Sequence, residues 1–418
     1  MLDTEFIEKE KEKIKKSIKQ KGYNADKLIE DVLKFDKKRK ELISEIEPLR
    51  AERNNLAHGL AKKPDKKIVF RVKKIKNEIS KLEVFLSDAQ RELKKKLLAI
   101  PNPPLDEVLV GKSDKENKTI KTVGKVPKFS FDIKNHIELG EDLNILDIKR
   151  GVKIGGTRSY VLKNELVILE QALLRYALDF VRKKNFEIMN VPVLVKEETL
   201  VGAGFFPFGR DDIYEVNEKD QFLVGTSEAS LVYYYSGETF REEELPKKLS
   251  GITTCFRKEA GTYGKDTQGI IRVHQFNKVE QVVLCSESNW RKMFDLILKA
   301  SEEIVKSLGL AYRLVEICTG DLGAKNAKQL DLEVWFSSQR KYRETHSCSY
   351  LTDYQGRRSD IKYIDKKGQK KFVHTLNNTA IATPRILAAI IENYQTKDGS
   401  VLVPDALIPY TKFKKIGK

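Results

Sequence analysis

Residues 251–281 hold the densest set of groups that could do chemistry. A segment ending Thr-Cys-Phe-Arg-Lys-Glu and another reading Ile-Ile-Arg-Val-His-Gln-Phe-Asn-Lys-Val-Glu are both β-prone. A Gly-rich polar connection, too long for a tight hairpin, joins them. Side chains alternate along a strand, so Arg257 and Glu259 share one face of the first segment, and Arg272, Phe276 and Glu280 share one of the second. Paired antiparallel, the two present guanidinium groups for phosphate oxygens, a ring for a base and carboxylates for amino groups. A surface hairpin tied by cross-strand ion pairs would use the same residues.

Three further stretches carry chemistry. Thr226, Ser227 and Glu228 follow Phe-Leu-Val-Gly and precede a short apolar helix, where hydroxyls could serve as caps or as ligands. In Tyr-Arg-Glu-Thr-His-Ser-Cys-Ser (342–349), Glu344 and Ser347 offer the oxygen ligands that Mg²⁺ prefers, a weak metal signal alone. His346 and Cys348 receive no acid–base role. A helix opening near Pro384 carries Arg385 in its first turn, a mildly unfavourable place for a cation unless an anion sits there.

The elements that must position these groups are legible in outline. The chain has 418 residues, a net charge of +17 and 40% hydrophobic residues, enough for more than one globular domain. Residues 1–100 hold 28 Lys/Arg against 18 Asp/Glu, which points to a polyanionic partner such as nucleic acid. After a short amphipathic helix over 1–23, Leu28, Val32, Phe35, Arg39, Leu42, Ile46, Leu49, Arg53 and Leu56 form a heptad seam, with a kink expected at Pro48. The seam resumes at Val72, Ile75, Ile79, Leu82, Leu86, Ala89 and Leu93 after a break near residues 59–67. Two such helices bury their seams against each other, giving an antiparallel coiled-coil hairpin over about 25–97.

Ile-Pro-Asn-Pro-Pro (100–104) is a linker that no helix can cross. Beyond it, an apolar-striped helix over 164–184 feeds a strand containing Pro192, a second amphipathic helix spans 286–308, and Asp331-Leu-Glu-Val-Trp-Phe alternates as a strand. Four cysteines lie far apart with no metal-ligand spacing, as expected of reduced thiols. No apolar run is long enough for a bilayer, and the acids from Asp3 onward fit neither a secretory leader nor an organellar presequence. A cytoplasmic location with no membrane partner is expected.

Phe-Arg-Lys-Glu followed by Arg-Val-His-Gln-Phe-x-Lys-Val-Glu closely resembles motif 2 of the class II aminoacyl-tRNA synthetases, in the form carried by bacterial-type seryl-tRNA synthetases. The resemblance extends over the chain in order. Residues 164–195 are similar to motif 1, residues 222–231 to the family's amino-acid segment, and residues 342–358 to a family signature. Asn-Asn-Thr-Ala-x-Ala-Thr-Pro-Arg within 375–395 resembles motif 3, although the common Gly-x-Gly-x-Gly form is absent. Val-Pro-Asp-Ala-Leu-Ile-Pro-Tyr (403–410) resembles the closing signature.

The resemblance implies an α+β fold: an N-terminal antiparallel coiled-coil arm (1–100) and a class II catalytic core (101–418), an antiparallel sheet flanked by helices. It implies a homodimer formed through the motif 1 region and an arm that grips tRNA(Ser), and leaves open whether selenocysteine tRNA is a second acceptor. L-serine and ATP would give seryl-adenylate, from which serine passes to the tRNA 3′ end. The reacting centre would be Arg257, Arg385 and Glu280. Serine would be held by Thr226, Ser227, Glu228, Arg257, Glu280, Asn377 and Thr379. ATP would meet Arg257, Lys258, Glu259, Arg272, Val273, Phe276, Glu344, Thr345, His346, Ser347 and Arg385, with Glu344 and Ser347 as ligands of Mg²⁺. Two other classes fit parts of the pattern: a ligase loading serine onto a carrier protein, which has no need of a basic arm, and a non-catalytic RNA-binding paralogue, which would be expected to have lost part of the nucleotide kit.

Overall fold

The computed structural model describes residues 1–62, 65–216, 220–261 and 268–417. It divides into two compact units, residues 1–101 and 102–418.

In the first unit, α1 (Thr4–Lys9) and α2 (Lys11–Gln20) replace the single helix expected over 1–23. The break falls at Glu10, and Asp3 caps α1 through the amides of Glu5 and Phe6. The long helices α3 (Asp26–Lys62) and α4 (Lys66–Leu98) form the expected hairpin. The helix continues through Pro48 and past Gly59, so the break between the two is shorter than the sequence suggests. Val32, Leu42 and Ile46 of the first seam and Ile75, Ile79, Ala89 and Leu93 of the second are buried. Arg50–Glu83 and Arg71–Glu52 (both 2.7 Å) and Lys96–Asp31 (2.8 Å) link the helices across the seam. Lys67, Lys73, Lys74, Lys76 and Lys81 stand exposed on α4.

The second unit is built on a sheet of eight strands: β1 (Lys118–Val123), β2 (Glu187–Met189), β3 (Lys247–Phe256), β4 (Gln275–Cys285), β5 (Tyr312–Glu316), β6 (Lys328–Phe336), β7 (Lys341–Tyr350) and β8 (His374–Ala382). Their spatial order is β1-β5-β6-β7-β8-β4-β3-β2, antiparallel except where β2 runs parallel to β3 at one edge. The Pro192 segment therefore ends one strand and leads to a short one in another sheet, Leu194–Lys196, rather than lying inside a single strand. Helices α5 (Asn164–Lys183), α6 (Glu228–Tyr233), α7 (Trp290–Ser307), α8 (Tyr354–Arg358) and α9 (Thr383–Asn393) pack around the sheet. The buried stripe of α5 (Leu166, Leu169, Leu173, Ala177, Val181) and the apolar residues of α7 and α9 share one core with β4, β6 and β8. Strand β8 passes directly into α9 at Thr383, with no turn between them. The change from strand to helix falls between two small residues, Ala382 and Thr383.

Candidate active site

Strand β4 lies between β3 and β8, and its alternation sends Phe276, Lys278 and Glu280 into one cavity of about 250 Å³. Register places Phe276 opposite Cys255 on β3, and Glu280 opposite both Gly251 on β3 and Thr379 on β8. Gly251 has a steric reason: a Cβ there would lie 2.8 Å from the Cβ and Oγ of Ser227. Glycine lets the start of α6 press onto β3, so that Thr226 and Glu228, on either side of Ser227, reach the cavity.

One half of the cavity is cationic and aromatic. Arg257 lies just beyond the end of β3, with its guanidinium 5.3 Å from the centroid of the Phe276 ring and its Nε donating to the Gly225 carbonyl at 3.3 Å. Glu259, in the left-handed region at φ 55°, pairs with Arg272 at 2.8 Å. Arg385, in the first turn of α9, donates from Nε to the Ile271 carbonyl at 3.0 Å and from Nη1 to the Glu344 carbonyl at 2.5 Å. The anion facing this cation is the Glu344 carboxylate, at 3.3 Å. Val273, Thr345 and Ser347 also line the cavity. Asp331, opposite Ser347 on β6, is buried, and burial together with the nearby Glu344 charge pushes its carboxyl well above the ordinary range.

The other half holds buried charges that are already paired. Lys278 Nζ sits 2.7 Å from Glu280 Oε2, to which Thr379 Oγ1 also donates at 3.2 Å. Lys325 Nζ sits 2.5 Å from Glu228 Oε1, and Gln355 Nε2 donates to the same oxygen at 2.8 Å. Burial pushes the Glu280 carboxyl up against the pull of Lys278, and pushes the Lys325 ammonium down against the pull of Glu228. Thr226 Oγ1 accepts from the Glu228 amide at 3.2 Å, and Phe205, Asn326, Ser349 and Asn377 complete the wall. A carboxylate-rich end suited to an ammonium thus adjoins a guanidinium-rich end suited to phosphates.

Comparisons with known proteins show which family the chain belongs to. Residues 1–104 match the family model described as the seryl-tRNA synthetase N-terminal domain, and residues 212–394 match the class II core domain of the G, H, P, S and T synthetases. The serine–tRNA ligase of Elusimicrobium minutum is 42% identical over 417 residues, covering 98% of each chain, and that of Treponema denticola is 40% identical over 424 residues, covering both chains fully. The chain belongs to the seryl-tRNA synthetase family. The crystal structure of the seryl-tRNA synthetase of Pyrococcus horikoshii complexed with ATP superposes with a TM-score of 0.91 at 36% identity, covering 100% of this chain and 99% of that one.

The stretch expected to be motif 2 forms the β3–β4 pair, and the stretch expected to be motif 3 forms β8 and α9. Most of the expected site residues of motif 2, motif 3 and the Thr-x-Glu segment meet in the single cavity, along with Glu344, Thr345 and Ser347. Three expected residues do not line it. Ser227 is fully buried, with its Oγ donating to the Gly251 carbonyl at 3.3 Å. His346 is buried with its ring nitrogens near Thr345 Oγ1 (2.8 Å) and the Ala380 carbonyl (3.1 Å), and burial pushes it down to about 4, so it is neutral near pH 7. Lys258 is exposed, with its ammonium over the Tyr214 ring. The motif 2 connection over 262–267 lies outside the described residues. Lys278, Lys325, Phe205, Asn326 and Ser349 line the cavity without having been singled out from the sequence. Lys278 was within reach, since it stands between Phe276 and Glu280 at the same strand period.

Proposed function

We infer that the chain is a serine–tRNA ligase, which activates L-serine with ATP to seryl-adenylate and then transfers serine to the 3′ end of tRNA(Ser). The observation that carries the reading is the cavity itself, in which Arg257, Phe276 and Arg385 adjoin Glu280, Thr379, Thr226 and Glu228. The first step needs in-line placement of a carboxylate on the α-phosphorus and neutralisation of developing phosphate charge, with little proton transfer. Arg257, held by the Gly225 carbonyl and the Phe276 ring, takes the α-phosphate. Arg385 leaves Glu344 for the γ-phosphate and covers one adenine face, Phe276 covers the other, and Glu259 reads the adenine amino group. Glu280 and Glu228 take the serine ammonium, and Thr379 and Asn377 take the side chain. A site built to hydrogen-bond a hydroxyl rejects alanine, because its polar groups would be left unpaired.

Glu344 and Ser347 fit a hard divalent cation as a partial oxygen set, with ATP oxygens and water completing the shell. Mg²⁺ there would neutralise phosphate charge. A homodimer is supported by Val167 and Ile168 on the outer side of α5, Ile188 on edge strand β2, and Ile154 at 79% exposure, all apolar positions that a second copy would cover. No helix among the described residues is long and apolar enough to cross a membrane, and we place the enzyme in the cytoplasm.

The test is ATP–pyrophosphate exchange with serine, threonine, alanine or no amino acid. Exchange with serine alone is expected, and its absence with ATP and Mg²⁺ in excess would leave a non-catalytic paralogue. The basic hairpin gives a second arm of the test. Deleting residues 30–95 is expected to abolish tRNA(Ser) charging and spare serine-dependent exchange, and retained charging would remove the hairpin as the RNA reader.

A further inference from the structure

Lys325 lies in the connection before β6, outside every segment that carried the family resemblance. It reaches Glu228, 97 positions earlier in the chain, with its ammonium 2.5 Å from Oε1 and 3.7 Å from the centroid of the Phe205 ring. Gln355 shares that oxygen and is itself fixed, donating to the Ala203 carbonyl at 2.7 Å and accepting from Thr375 at 2.6 Å. Among the described residues no donor reaches Glu228 Oε2. The arrangement repeats across the cavity, where Lys278 and Thr379 hold Glu280 Oε2 and no described donor reaches Oε1.

We propose that Lys325 is a positioning residue for the substrate's α-ammonium: it keeps Glu228 ionised and clamps one of its oxygens, leaving the other for the substrate. The proposal rests on the serine-activating reading above. Glu228 is 4% exposed. A carboxylate so buried favours its neutral form unless a counter-ion stays with it, and a neutral carboxyl attracts an ammonium poorly. The charged groups around Glu228 are Lys325, which holds it, Glu280 of β4, a like charge, and Lys278, which is already committed to Glu280. Together two carboxylates and two ammoniums make a set of zero net charge. That balance suits a zwitterion, which brings no net charge of its own.

The test compares wild type, Lys325→Met and Lys325→Arg by serine-dependent ATP–pyrophosphate exchange, with the KM for serine and for ATP measured from about pH 6.5 to 9 and melting temperatures taken in parallel. Lys325→Met is expected to raise the serine KM roughly tenfold or more near neutral pH, as for a lost contact to a charged group, with the ATP KM within about twofold. Arg, which keeps the charge, should restore most of the affinity. An unchanged serine KM across the range overturns the proposal, as does a fall in that KM, which would make Lys325 a competitor of the substrate. A parallel rise in both KM values with a lower melting temperature and no rescue by Arg also overturns it, leaving a structural ion pair. Failure of wild type itself to exchange with serine would instead sink the functional reading on which the proposal depends.

Discussion

The two halves of the cavity handle charge differently, although Arg272 is paired with Glu259 in the cationic half as well. At the amino-acid end every charge is matched before substrate arrives, with Glu228 on Lys325 and Glu280 on Lys278, all four largely buried. At the nucleotide end Arg257 rests on a carbonyl and a ring, and Arg385 is held mostly by carbonyl oxygens and a Glu344 carboxylate that is about half exposed. On the function proposed above, the difference follows from the ligands. A triphosphate brings enough negative charge to reorganise loosely held guanidiniums, whereas a small zwitterion brings none to spare and needs a prebuilt, neutral frame. Substitutions should therefore cost selectivity at one end and nucleotide turnover at the other.

The largest effect is expected at Glu280. Glu280→Gln keeps the shape and an acceptor for Lys278 but removes the charge, and serine activation should fall on the order of 10³-fold, with ATP binding measured separately little changed. Equal loss of ATP affinity would erase the distinction between the halves. Arg257→Ala should reduce kcat for exchange by roughly 10²-fold, the usual cost of a preorganised cationic contact, while the discrimination between serine and alanine stays as it was. Near-normal activation would take Arg257 off the phosphate. Thr379→Val removes a hydroxyl bonded to Glu280 and should narrow the preference for serine over alanine by about tenfold, read as the ratio of kcat/KM values. An unchanged ratio would mean that the substrate hydroxyl is read elsewhere.

How far these residues could be found in advance depended on the range of their partners. The heptad seam of α3 and α4 is local, so the hairpin was legible in outline, although Ile29 and Asp36 are buried where the seam has the half-buried Leu28 and Phe35. The motif 2 residues reached the cavity as expected but partly for another reason. Arg257 and Glu259 do not share a strand face, because β3 stops at Phe256; a left-handed turn at Glu259 brings its carboxylate back to Arg272. Arg272 likewise precedes β4 rather than lying in it. Ser227 fits the same segment as Thr226 and Glu228, yet the cavity takes only its neighbours, since Gly251 offers Ser227 a place against the strand. Lys325 was not legible at all. Nothing local marks it, and its meaning comes from a partner that only the folded sheet brings near.

The smallest effect tests whether the prebuilt half is also the pH-sensitive half. Burial holds the Glu280 carboxyl above its ordinary range, opposed by Lys278 and by the Thr379 hydroxyl. Its charge is therefore present at higher pH and lost as pH falls through that raised value, earlier than an exposed glutamate would lose it. The serine KM should accordingly rise several-fold on mild acidification, more than any change in the ATP KM. The effect on folding has the opposite sign. A carboxyl whose value is raised in the fold binds more protons folded than unfolded, so protonating Glu280 favours the native state and stability from this group declines as pH rises. Loss of serine affinity without a matching fall in melting temperature is thus the expected signature. His346 does not share in it, because burial has already pushed it down to about 4, below that window. An acid limb that persisted in Glu280→Gln would move the pH sensitivity away from the amino-acid end and weaken the contrast between the two halves.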